Sequence, residues 1–211
     1  MTAGAAWLNE TFSIFDEAIT LTVHNLHQSC GTWMKPIMEI ISLMGKGGIF
    51  PILLSLILLL FLPTRRFGTA MALGLAIGAV AVNLWLKVMI ARPRPYADIN
   101  SIYYPLWQAL ESHVESDFSF PSGHTNAAFA SMVPVFLLGN KKWSWLALVF
   151  AFLMGISRIY LVVHFPSDVL GGIITGTIAG LIGTLIVKLI PSSSGWYSWN
   201  LFKKRPKGAH E

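Results

Sequence analysis

The chain has 211 residues, of which 54% are hydrophobic and only 12% charged, about half the charged share of an average globular protein. That balance excludes a disordered chain, which needs low hydrophobicity and high charge. It also argues against an ordinary soluble domain, whose surface needs more charge to stay in solution. A single cysteine, Cys30, excludes an internal disulfide framework and a cysteine-based zinc site.

In chain order, residues 1–30 lack a basic leader region, since the first cationic side chain is Lys35. No secretory signal is visible there, so the first apolar span is expected to direct insertion itself. Segment 12–29 has apolar residues at helical spacing but includes Asp16, Glu17, His24 and His27. An interfacial amphipathic helix fits it better than a span; a sixth span at this place would put the N-terminus in the cytoplasm. Residues 47–62 carry no charge, and residues 67–91 carry only Lys87. Segments 122–139, 143–164 and 168–190 complete five apolar runs, each of about the length that a bilayer core requires. The last is rich in Gly and Ile, as suits close helix packing in lipid. The expected fold is therefore all-α, a multi-pass transmembrane helical bundle of five spans, or six. The N-terminal amphipathic segment would be 1–46, the transmembrane domain 47–190 and a basic tail 191–211.

Loop charges set the orientation. Arg65 and Arg66, Lys141 and Lys142, and the tail cations Lys188, Lys203, Lys204, Arg205 and Lys207 fall on one side of a five-span bundle. They are nine of the 15 basic residues, which makes that side cytoplasmic. The opposite side holds Asp98, Glu111, Glu115, Asp117 and Asp168. The net charge of +5 is then a topology signal, and no nucleic-acid partner is expected.

Ionisable residues at span ends are costly and are usually paired or functional. Here they gather at the non-cytoplasmic ends. Lys87 and Arg94 are seven apart, so a continuous helix would place both on one face, two turns apart. Pro93 and Pro95 end the helix and stiffen its exit. A guanidinium fork and an ammonium suit phosphate oxygens, although snorkelling cations would look the same. Arg92 reads as a headgroup or loop contact. Pro121, Ser122, Gly123 and His124 read as a helix start offering free amides, a hydroxyl and a proton-transfer group; a capped helix with a bystander His is the alternative. Arg158, His164 and Asp168 follow, with Pro166 breaking the helix between the last two. A carboxylate near a His can hold its tautomer and strengthen it as base or nucleophile. Two His and an Asp could also ligate zinc, but the cations Lys87, Arg94 and Arg158 would repel a dication. Anion binding therefore ranks above metal.

At these residues the chain resembles the type 2 phosphatidic acid phosphatase superfamily of membrane lipid phosphatases. The family's three signatures, K-x6-R-P, P-S-G-H and S-R-x5-H-x3-D, are intact and in order. They fall on Lys87 to Pro95, Pro121 to His124, and Ser157 to Asp168. The resemblance implies that His164 attacks phosphorus, that Asp168 orients it, and that His124 protonates the leaving oxygen and then activates water. It implies that Lys87, Arg94, Ser122, Gly123 and Arg158 hold the phosphoryl oxygens. The cations would supply what Mg²⁺ supplies elsewhere, so no metal or cofactor is expected.

The implied partner is a lipid phosphate in the bilayer, with its tail in lipid and its phosphate in the cationic mouth. Small bacterial members recycle undecaprenyl diphosphate in cell-wall biogenesis, which favours that substrate. Phosphatidylglycerophosphate, phosphatidate and phosphotransfer to an alcohol stand as alternatives. A non-enzymatic lipid-binding protein or transporter would need the cations but not His124, His164 and Asp168 together.

Overall fold

The computed structural model describes residues 1–191 and 193–198, and every regular element among them is helical. The tail cations Lys203, Lys204, Arg205 and Lys207 lie outside the described residues. Two helices, α1 (Ala3–Thr11) and α2 (Ser13–Cys30), form an N-terminal arm. Next come α3 (Met34–Gly45) and α4 (Ile49–Leu60), joined by a 3-10 turn, Lys46–Gly48. The next rod is α5 (Arg65–Ala79), a π-helical stretch (Val80–Leu86) and α6 (Lys87–Ile90). A long loop carrying α7 (Tyr103–Ala109) leads to α8 (Gly123–Leu138), α9 (Lys141–Tyr160), α10 (Pro166–Leu189) and α11 (Gly195–Ser198).

Four segments are long and apolar enough to cross a membrane: Met34–Leu60, Arg65–Ala97, Lys141–Tyr160 and Pro166–Leu189. The apolar run expected at 47–62 is thus the second half of a longer segment. Gly47 and Gly48, at φ 60° and 69°, turn the chain between its two helices without ending it. The boundary expected at residue 46 falls inside that segment. The expected span 122–139 coincides with α8, which at 16 residues is only about 24 Å long. It is sheathed by protein, with residues 128–134 all buried.

Close packing comes from small residues. α10 lies against α5 and α8. A methyl group at Gly183 would stand 2.6 Å from the Ala70 carbonyl oxygen, and one at Gly172 would stand 2.7 Å from that of Ser122. Backbones this near admit only glycine, as expected where helices pack in lipid. The outward faces are apolar instead of charged: Ile52, Leu53, Leu56 and Ile57 on α4, and Ile174, Ile178 and Leu185 on α10, are all exposed. A helix with its large aliphatic residues outside and its small ones inside is solvated by hydrocarbon, and the chain is a multi-pass membrane protein.

The arm follows the same inversion. In α2 the buried residues are polar, Asp16 and Thr20, while Ile14, Phe15 and Leu26 are exposed. The far end of the bundle is tied by Arg65, which donates to the Trp196 carbonyl at 2.8 Å and lies over the Trp196 ring. The α4–α5 link and the segment after α10 therefore share one end.

Candidate active site

Three helix ends and one loop meet at the opposite end. After α6 the chain leaves the helix at Ala91, in the left-handed region at φ 48°, and Arg92 to Arg94 are non-helical, with Arg94 extended. Lys87 and Arg94 are therefore not two turns of one helix, as their spacing implied. Pro93 and Pro95 withhold the amides that a helix would need, so the chain folds back and brings Arg94 to Lys87 from outside. α8 starts at Gly123, capped by Ser122, whose Oγ accepts from the Thr125 amide at 3.4 Å and hydroxyl at 2.9 Å. The chain between α9 and α10 turns through Val162 at φ 53°, a strained setting for a β-branched residue, and this delivers His164 inward.

Lys87, Arg94, Gly123, His124 and His164 line one cavity of roughly 370 Å³, together with Asn83, Glu115 and Asp117. The other expected residues stand one step back. Ser122 is fully buried and its side chain caps α8. Arg158, also fully buried, reaches the cavity through Glu115 and is held by Ser42 of α3. Asp168 lies behind His164, its Oδ2 at 3.5 Å from Nδ1. The other ring nitrogen, Nε2, is 2.9 Å from an Arg94 Nη1 donor. The two nitrogens thus face opposite charges. Nδ1 faces the carboxylate without closing a hydrogen bond to it, and Nε2 faces the Arg94 donor. Burial first, then Arg94, Arg158 and Lys87, hold the imidazole well below its usual pKa, so it is neutral near pH 7.

The cations are not empty-handed. Asp117 pairs with both Lys87 and Arg94, and Glu115 pairs with Arg158. Burial pushes both carboxyls up, but the cations outweigh it and hold them below the usual carboxylate range. Two carboxylates therefore sit where the sequence reading puts phosphoryl oxygens. Both residues were visible as acidic loop residues, but no spacing tied them to the signatures, because a loop has no fixed period.

Arg92 corrects a second expectation. It is not a headgroup or loop contact: it is 1% exposed, stacked 3.9 Å over the Phe165 ring. Its Nη1 donates to Asp168 Oδ1 at 2.7 Å and its Nη2 to Asp16 Oδ2 at 2.9 Å. Sequence spacing could not pair it with Asp16, which is 76 residues away.

A bundle of small-residue-packed helices, with a cation-lined cavity around a His backed by a carboxylate, is the architecture of a membrane phosphatase fold. The family comparison agrees: residues 63–191 match the model of the PAP2 superfamily, and the chain belongs to that superfamily. It is 33% identical over 122 residues to an undecaprenyl-diphosphatase of Sulfolobus acidocaldarius, a match covering 57% of this chain and 55% of that one. It is 32% identical to the undecaprenyl-diphosphatase BcrC of Bacillus subtilis, covering 50% of this chain and 51% of the relative. The chain thus matches about half the length of these curated relatives. Among solved structures, the transmembrane PAP2-type phosphatidylglycerolphosphate phosphatase of Bacillus subtilis superimposes with a TM-score of 0.67 at 27% identity, over 90% of this chain and 94% of that one.

Proposed function

We propose that the protein is an integral membrane lipid phosphatase that works through a phosphohistidine, with undecaprenyl diphosphate as the favoured substrate. The observation that carries the chemistry is the two-sided setting of His164, with Nδ1 toward Asp168 and Nε2 in the cationic cavity. The relatives named above support the substrate class.

In this reading the substrate phosphate displaces Glu115 and Asp117 from Lys87, Arg94 and Arg158. Arg94 then moves its donors from Nε2 to phosphoryl oxygens, which frees the lone pair. The first amides of α8, Gly123 among them, add donors that have no carbonyl partner within the helix. Nε2 attacks phosphorus and forms the P–N bond as the bond to the leaving oxygen breaks. His124 gives that oxygen its proton. His124 then takes a proton from water, the hydroxide oxygen bonds to phosphorus, the P–N bond breaks and His164 is restored. Charge on the transferring group is met by fixed cations, so this route calls for no metal or cofactor. Ser122 acts by fixing the start of α8, whose first amides meet the phosphoryl group.

The site faces the non-cytoplasmic side of the cell membrane, and α2 lies in the interface with Ile14, Phe15 and Leu26 toward lipid. The transmembrane phosphatase domain extends to residue 190, followed by the basic tail. Purified protein should release phosphate from undecaprenyl diphosphate faster than from phosphatidylglycerophosphate or phosphatidate, equally with and without chelator. Loss of activity in chelator, restored by Mg²⁺ or Zn²⁺, would overturn the metal-free route. A preference for phosphatidylglycerophosphate would move the substrate and leave the chemistry.

A further inference from the structure

Behind His164 the structure holds a buried chain of charge that runs past the signature residues to Asp16 of the N-terminal arm. Asp168 Oδ2 faces Nδ1 of His164 and accepts from the Phe165 amide at 2.9 Å and from the Ser119 hydroxyl. Its other oxygen, Oδ1, accepts from Arg92 Nη1 at 2.7 Å. Arg92 also donates to Ser167 Oγ at 2.7 Å, to Asn9 Oδ1 at 2.8 Å and to Asp16 at 2.9 Å. Asp16 accepts further from the Ser167 amide and hydroxyl, each at 2.7 Å. Its three partners are all donors, which is the surrounding of a carboxylate. Asp16, Arg92 and Asp168 are each 1% exposed or less.

A lone guanidinium against Asp168 would cancel much of the field that His164 feels from that carboxylate, and within a buried site salt screens such fields far less than at the surface. With Asp16 on the far side, two carboxylates share one guanidinium, and a net negative charge remains behind the imidazole. Arg92 also anchors Asp168 through its single bond to Oδ1, because Arg92 is itself held by Asn9, Ser167 and Asp16 and stacked on Phe165.

We propose that Arg92 and Asp16 are positioning residues for the reaction: Arg92 holds the Asp168 carboxylate in register with His164, and Asp16 offsets the guanidinium charge so that Asp168 still acts on the ring. The N-terminal arm is then part of the catalytic apparatus. This rests on His164 as nucleophile and Asp168 as its orienting carboxylate.

The test separates this role from simple anchoring of α2. Asp16→Asn keeps the size but removes the charge. It should lower kcat by about tenfold with little change in KM. It should also move the acidic limb of kcat/KM to lower pH by roughly half a unit to one unit, because a less negative setting disfavours the imidazolium. The other groups facing His164 are unchanged by the variant: Lys87 on α6, Arg94 on the extended segment, Glu115 and Asp117 on the loop, His124 on α8 and Arg158 on α9. The position of the limb does not depend on the amount of folded enzyme, so partial misfolding cannot imitate it. Asp16→Glu should restore the limb, and Arg92→Lys should lower kcat while leaving the limb nearly in place. In an Asp168→Asn background, Asp16→Asn should cost nothing further. Full additivity, or an unmoved limb, would overturn the inference. If Asp168→Asn itself leaves kcat intact, the underlying site reading fails instead.

Discussion

His164→Ala and His124→Ala should fail at different steps. The first removes the ring that, alone among the described residues, has one nitrogen at the cations and a carboxylate behind the other, so no covalent intermediate should form. The second keeps the nucleophile but loses leaving-group protonation and water activation, help worth typically about 10²- to 10⁴-fold. Rapid quench with radiolabelled lipid phosphate should trap acid-labile, base-stable label on wild type and none on His164→Ala; label on His164→Ala, or mapping of label to His124, would reverse the roles. Two glycines allow a finer test of how the site is shaped. A methyl group at Gly45 would stand 2.7 Å from His124 Cδ2 and from Met154 Sδ, whereas one at Gly123 meets nothing nearer than Lys87 Nζ at 3.7 Å. Gly45→Ala should therefore cost more kcat than Gly123→Ala, although Gly123 is in a signature and Gly45 is not. Gly123→Ala leaves the α8 amide in place. The reverse order in steady-state assays would mean that Gly123 is needed for backbone freedom and not for its amide.

Helices were the most legible part of the sequence, because apolar run length and helical period are local properties. The rod from α5 through the π-helical stretch to α6, and α8, α9 and α10, fall within a few residues of the runs expected from hydropathy. The exceptions are positions where long-range packing decides. α3 joins the first crossing segment because Gly47 and Gly48 turn the chain instead of ending it, and a Gly pair reads the same either way in sequence. The signature residues were legible as residues, but their mutual geometry was not: Lys87 and Arg94 meet through a chain reversal, and Arg92 finds Asp16 across the arm. The loop before α8 was the least legible element and has its own consequence. Asp117 and Glu115 must leave the cations for phosphate to enter, so Asp117→Asn should strengthen inhibition by inorganic phosphate severalfold, in line with about 1 kcal/mol or less for a half-exposed ion pair. Unchanged inhibition would mean that the loop does not compete with phosphate. Both carboxyls titrate below their usual values, so their pairing is intact above the ordinary carboxylate range and is lost as pH falls through the lowered values. A fluorophore at the exposed Val114, introduced as Val114→Cys with Cys30→Ser, should stay immobile through the neutral and mildly acidic range and gain mobility only below the ordinary carboxylate range. A transition near the usual histidine range would show that a histidine holds the loop instead.

At the scale of the whole molecule, the bundle has two unlike ends, and the proposed orientation rests on the difference in charge between them. The site end gathers the reversal at Ala91, the start of α8 and the turn before α10, with the acidic loop over them. The far end gathers Arg65 and Arg66 at the start of α5, where Arg66 donates to the Ile190 carbonyl at 3.4 Å and lies over the Tyr197 ring, and the α8–α9 link with Lys141 and Lys142. In the proposed orientation this cation-rich end is the cytoplasmic one. Trp143 and Trp145, exposed just after that link, suit an interfacial belt at the same end. Both ends carry residues open to a water-borne reagent, Asn100 in the long loop and Ser193 after α10. In a Cys30→Ser background, Asn100→Cys should react with a membrane-impermeant maleimide on intact cells, and Ser193→Cys should react only after the membrane is opened. Labelling of Ser193→Cys and not Asn100→Cys on intact cells would turn the bundle over. The phosphate would then be released into the cytoplasm, and the lipid headgroup would have to be presented from that side. The two single-cysteine proteins share one fold and one background, so a difference between them reports sidedness and not stability.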